Sequence, residues 1–165
     1  MFERLMDEKI LPFLFKEPKH PMRFNELMQA NKMLVDHIPL EGRIPGIKLR
    51  LSRLYIFMVT IWNLIFLPPA LIFHKLLAKI DCHIMIVLAV FFTIFFFGVL
   101  SVFRSWAIER MALNQIKKAW RLHLPYYDFD TYHVKVAKFY TDALEKGVTG
   151  ANVEMYIMNA LSLEK

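Results

Sequence analysis

The sequence predicts an all-α integral membrane protein: a helical hairpin of two transmembrane helices with small helical cytoplasmic tails. Three observations carry that class. Residues 54–73 and 84–103 contain no Asp, Glu, Lys or Arg. At about 1.5 Å per residue, each stretch is long enough as a helix to cross roughly 30 Å of hydrocarbon. No segment of useful length shows the two-residue apolar alternation of a strand. The chain therefore divides into residues 1–53 (cytoplasmic amphipathic helices and a linker), 54–103 (two spans joined by a short outer loop, 74–83) and 104–165 (a helical extension and a C-terminal helix pair).

The first element is a short amphipathic helix. Phe2, Leu5, Met6, Ile10, Phe13 and Leu14 recur at helical spacing, while Glu3, Arg4, Asp7, Glu8 and Lys9 fill much of the other face. Pro12 weakens it, because proline lacks an amide donor and disturbs the preceding turn. Three roles are open: packing on the rest of the cytoplasmic part, lying on the membrane surface, or binding a partner. The opening residues lack a continuous apolar run, so no cleavable signal peptide is expected and the first span serves as the insertion signal.

Residues 16–21 form a charged, proline-bearing break, and a second helix is predicted to begin at Pro21, a residue suited to a first helical turn. Its apolar stripe is Phe24, Leu27, Met28, Leu34, Val35 and Ile38. Asn31 interrupts the stripe and is placed to hydrogen-bond across an interface. Pro39, Gly42, Pro45 and Gly46 then mark a bent linker.

The first span carries Asn63 and the pair Pro68-Pro69. A helix ending at Leu67 would have a charge-free part of about 21 Å, too short to span. Either the helix continues past the prolines, or Arg50 and Arg53 snorkel and the helix shifts outward, or the chain makes a re-entrant turn. The last option places Lys75, Lys79 and Asp81 deep in lipid at considerable cost. The second span is uninterrupted and rich in Phe, and its pattern continues to about Leu122, before Pro125. That makes a helix of about 60 Å, with Trp106, Ala107, Met111, Asn114 and Trp120 on one face of its last third. Asp128 or Asp130 caps a helix to about Lys146, and Gly147 suits a left-handed terminator. A final helix covers 152–163, with Val153, Tyr156, Ile157, Ala160 and Leu161 on one side.

Net charge is +6. Arg43, Lys48, Arg50 and Arg53 precede the first span, and Arg104, Arg110, Lys117, Lys118 and Arg121 follow the second. The loop has only Lys75 and Lys79, partly offset by Asp81. Positive residues favour the cytoplasmic side, so both termini are expected there, and a bacterial inner membrane fits best. Tyr55 and Trp106 suit the water–lipid boundary at the cytoplasmic ends. Because the basic residues cluster beside the spans and no phosphate loop or zinc spacing accompanies them, no nucleic-acid partner is expected.

Chemistry-bearing groups are few. His74 and His83 lie at the outer mouth of the hairpin, with Asp81 and the single cysteine, Cys82. Two histidines can hold a haem axially, which defines one alternative for these two residues; the bland reading is that they mark the water boundary. Cys82 is open to an intermolecular disulfide. Asp128, Asp130 and His133 read first as a helix cap with a surface histidine. No catalytic set and no metal site are predicted. Interaction is the stronger theme. A deep amide at Asn63 seeks a partner across helices, a contact worth about 0.6–2 kcal/mol in membranes. Ala89 and Thr93 form a small-residue patch, and Phe2, Leu5, Met6, Ile10 and Phe13 form the N-terminal stripe. The expected role is a non-catalytic accessory or scaffold subunit. Its partners are the lipid bilayer and other membrane or cytoplasmic subunits, or further copies of itself. The alternatives are a redox anchor binding haem or quinone, and an oligomeric pore or transport-associated hairpin.

Overall fold

A computed structural model describes residues 5–16, 20–44, 46–150 and 152–163. The protein is helical throughout this range, apart from loops and one two-residue strand pair. A widened π-helical turn, Met6–Ile10, runs into α1 (Leu11–Leu14). It closes with the Leu11 N–H on the Met6 carbonyl. The wide turn sits immediately before Pro12, whose missing N–H removes the ordinary donor for the Glu8 carbonyl. Then come β1 (Phe15–Lys16), α2 (Phe24–Val35), β2 (Lys48–Leu49), α3 (Leu51–Ile72), α4 (His74–Leu77), α5 (Cys82–His123), α6 (Phe129–Glu145) and α7 (Asn152–Leu163). The strands β1 and β2 pair with each other; nothing in their residue pattern announces them.

The molecule divides into two compact units. One comprises residues 1–15 and 49–107, the other residues 16–48 and 108–165. The boundary falls inside α5, between Ala107 and Ile108.

In the first unit, α3 continues through Pro68 and Pro69, and the Phe73 N–H closes on the Pro69 carbonyl. The spanning-length helix is therefore intact, and the alternative that ends it at Leu67 is set aside. Thr60 Oγ1 donates to the Ile56 carbonyl and Asn63 Nδ2 to the Val59 carbonyl, both at 2.8 Å. Two polar side chains are thus folded back onto their own helix. The N-terminal turns pack on the start of α3, burying Met6, Leu11, Leu14 and Phe15 in the same unit as Leu54 and Met58. The Arg50 N–H reaches the Leu14 carbonyl at 2.9 Å.

The second unit is a helical cluster around Trp120. Phe24, Leu27 and Met28 of α2, Ala112 and Ile116 of α5, Val136 of α6 and Ile157 and Leu161 of α7 form one buried core, joined by Leu40 and Ile44 from the linker. Trp120 is 1% exposed; its indole N–H donates to the Tyr127 carbonyl at 2.7 Å, and its ring meets Phe129 edge-on at 5.2 Å. Burying such a ring with its N–H satisfied keeps the apolar gain without a polar cost.

Local signals set the helix ends. The helix expected from Pro21 begins at Phe24: Arg23 is extended, and the Glu26 carboxylate accepts the Arg23 N–H at 3.0 Å. That bond places the N-cap two residues beyond the proline. α2 ends at Val35, so Ile38 lies outside the helix it was assigned to. His37 adopts φ 53°, and the Ile38 N–H reaches back to the Met33 carbonyl at 2.9 Å, a left-handed termination usually given to glycine. Asp128 caps α6, accepting from the Thr131 N–H at 3.2 Å. Gly147 ends the helix at φ 70°, with the Val148 N–H on the Ala143 carbonyl.

Candidate functional site

In the first unit, the apolar helices meet through rings. Trp62 lies 4.4 Å from Phe66 and 5.2 to 6.4 Å from Phe92, Phe95 and Phe96. Phe66 meets Phe92 edge-on at 5.2 Å, and Phe57 stacks on Phe103 at 5.6 Å. As residue number rises on α3, that of its ring partner on α5 falls. Each such aromatic pair contributes about 0.5–1.5 kcal/mol beyond area burial. The phenylalanine cluster is thus partly a helix–helix seam. Away from this seam, the most apolar stretches of both helices are bare. Only 6% of the most apolar 18-residue window of either helix is buried. The core helix of a water-soluble protein would be mostly covered.

The interaction residues expected from sequence lie largely on this bare surface. Asn63 is exposed. Ala89 and Thr93 are also exposed, and Thr93 Oγ1 donates to the Ala89 carbonyl at 2.8 Å. None of the three is consumed by packing inside the chain. In the N-terminal stripe, Met6 is buried, Ile10 half-buried, and Leu5 and Phe13 exposed; Phe2 lies outside the described residues. Phe13 is held by Arg53, whose guanidinium sits 5.0 Å from the ring centroid and donates to the Phe13 carbonyl at 3.0 Å.

The connection between α3 and α5 gathers some of its polar groups. Asp81 Oδ1 accepts the His83 N–H at 2.8 Å and lies 3.0 Å from His83 Nδ1. These two contacts, the backbone one first, hold the Asp81 carboxyl below the usual carboxylate range. Cys82 Sγ stands 3.5 Å from His83 Nδ1. Sequence neighbours at the very start of a helix thus converge, although within a regular helix they diverge. Carboxylate, thiol and imidazole ligand atoms lie within 4.8 Å of one another, all exposed. His74 is outside that group, with its Nδ1 2.8 Å from the Leu71 carbonyl. The two histidines named for a haem therefore sit in separate local networks.

The second unit contains a polar lock that the apolar stripe only hinted at. Asn31 is fully buried, and its Nδ2 donates to the His133 carbonyl at 2.7 Å. Its Oδ1 has no hydrogen-bond partner. His133 stacks on Phe129 at 4.9 Å, with Nδ1 2.9 Å from the Phe129 carbonyl. Asp130 pairs with Lys117 at 3.0 Å. The group of Asp128, Asp130 and His133 is thereby spent on a cap, an ion pair and a ring stack. Burial pushes the Tyr140 phenol above its ordinary value, with Lys32 partly opposing. A cleft of about 600 Å³ runs beside Lys117, Trp120, Arg121 and the 124–130 turn.

Sequence reasoning did not find the β1–β2 pair, the Arg53–Phe13 clamp or the His123 ring contact with the Met22 carbonyl at 2.9 Å. These link residues far apart in the chain, and periodicity reports only neighbours. Comparison with family models, curated proteins and solved structures finds no match.

Proposed function

We propose that this chain is a non-catalytic integral membrane subunit, a two-span anchor that carries a folded helical module for binding other proteins. The carrying observation is the bare surface of α3 and α5, 6% buried in their most apolar windows. Water does not tolerate contiguous apolar surface of that extent, whereas hydrocarbon does. The opposite order of the ring contacts supports a hairpin. Nine flanking cations against two in the connection support termini on the cytoplasmic face of a bacterial inner membrane. The second unit buries a core of its own, which suits an anchored module.

The exposed amide of Asn63 supports association with another membrane chain. An amide facing lipid is costly, and a neighbouring helix relieves that cost. Two experiments test the reading. The protein should stay with membranes through alkaline carbonate washing, and an impermeant maleimide should reach Cys82 from outside intact cells. Release into the wash, or labelling of Cys82 only after lysis, would overturn anchor or orientation respectively. For the partner, Asn63→Leu should lower co-purification of the associated chain in mild detergent by about threefold or more, the equivalent of roughly 0.6 kcal/mol. An unchanged yield removes Asn63 from the interface.

A further inference from the structure

We infer that Phe13, Leu51 and Tyr55, together with Lys9, Arg50 and Arg53, form a docking surface for anionic phospholipid headgroups. This inference rests on the membrane reading and adds a lipid chemistry to it. The N-terminal turns do not bury their whole apolar content. Phe13 is 43% exposed, Leu51 51% and Tyr55 45%, while Met6, Leu11 and Leu14 face inward. The exposed three flank the first turns of α3, so they continue the bare apolar surface of that helix to its N-terminal end. Cations lie at the same end. Arg50 precedes α3, and Arg53 clamps Phe13 through its carbonyl and its ring. Lys9, one turn before Phe13, is exposed.

An aromatic body beside a charged tip suits the headgroup layer, where a ring seats at the acyl boundary and a guanidinium meets phosphate. A guanidinium offers five N–H donors in a planar fork, and the Phe13 carbonyl takes one of them. Among the described residues of the N-terminal turns, the acids are exposed Glu8 and half-buried Asp7, against the cations Lys9, Arg50 and Arg53. The balance therefore favours an anionic leaflet over a zwitterionic one. An N-terminal element pinned by Arg53 to α3 then lies in the plane of the interface.

The test uses full-length protein reconstituted in nanodiscs of phosphatidylcholine, alone or equimolar with phosphatidylglycerol. In a Cys82→Ser background, spin labels are placed at Phe13→Cys and, as an internal control, at Ile94→Cys. The Phe13 label should be shielded from an aqueous nickel chelate, and more so with phosphatidylglycerol present. Lipid extracted with the purified protein should be enriched in phosphatidylglycerol. Arg50→Gln and Lys9→Gln should each reduce that enrichment about fivefold, as expected for one surface cation. Lys9 is an exposed site, so its substitution leaves the fold intact. A Phe13 label that stays in water while the Ile94 label stays in lipid overturns the docking surface alone. Lack of enrichment in the unsubstituted protein does the same. An Ile94 label in water overturns the membrane reading beneath it.

Discussion

Phe91 and Tyr126 are both largely exposed, at 65% and 86%, yet they belong to regions built on opposite terms. Around Phe91, nearly every side chain of α5 is also bare, including Val87, Val90, Ile94 and Phe95. Around Tyr126, the neighbours Leu124 and Trp120 are 1% exposed and the outer positions carry charge. The first unit presents its apolar residues outward and uses rings to hold two helices together. The second gathers a core around Trp120, with Lys117, Asp128 and Asp130 at its rim, and leaves scattered apolar side chains such as Leu122 and Met155 exposed. One chain thus shows two answers to where greasy atoms go, and the difference supports the proposal that the first unit meets lipid and the second meets water.

The largest effect that probes this contrast is in the covered region. Trp120→Ala removes a buried ring, orphans the Tyr127 carbonyl it serves and opens a cavity. The second unit should lose about 3–5 kcal/mol of stability. Guanidinium titration followed by near-ultraviolet circular dichroism measures the loss. Membrane retention should not change, because α3 and the apolar part of α5 are untouched. Loss of retention would mean that the two regions do not divide the work as described.

Next in size is a pair of substitutions at two largely exposed aromatic sites. Phe91→Asp places a charge in the middle of an apolar helix and should disfavour insertion by about 2.5–3.5 kcal/mol. Tyr126→Asp should shift stability within about 0.5 kcal/mol, the usual range for surface sites. A glycosylation-reporter insertion assay reads the first and thermal unfolding reads the second. Similar small effects at both sites would assign water to both regions.

Much of the fold was legible in the chain. The helix from Cys82 to His123, the Asp128 cap, the Gly147 terminator and the final helix Asn152–Leu163 follow from uncharged runs, periodicity and turn chemistry. These are local signals. The start of α2 lies three residues past Pro21 because proline marks only a tolerated first turn, while the deciding bond, Arg23 N–H to Glu26, comes from a cap whose side chain gives no warning. At the candidate site, Asn63 stood out as an amide in an apolar run. The Arg53 clamp did not, since forty residues separate it from Phe13.

A smaller effect sharpens the covered region alone. His37 holds φ 53°, where an L side chain is strained by about 1–2 kcal/mol and glycine is not. His37→Gly should recover part of that, about 1 kcal/mol, seen as a higher unfolding midpoint of the second unit. The added backbone freedom of glycine in the unfolded chain offsets some of the gain.

The smallest effect is a pH dependence confined to one region. The Tyr140 phenol is raised above 10.0 by burial, against a partial pull from Lys32. In the unfolded chain, the same phenol ionises at its ordinary value. Between those two values the folded form holds its proton while the unfolded form has lost it. The folded state therefore loses stability as pH rises through that window, and the contribution is complete below 10.0. Tyr140→Phe has no proton to lose, so its alkaline decline should be shallower than that of the unsubstituted protein. Hydrogen exchange above that pH should show the amides of α6 loosening first in the unsubstituted protein. The bare stretch of α5 between Ile84 and Phe103 carries no group that titrates there, so its protection in lipid should be unchanged. Equal alkaline slopes for Tyr140→Phe and the unsubstituted protein would show that the phenol gains its charge without cost, and that this side of α6 is wetter than its packing indicates.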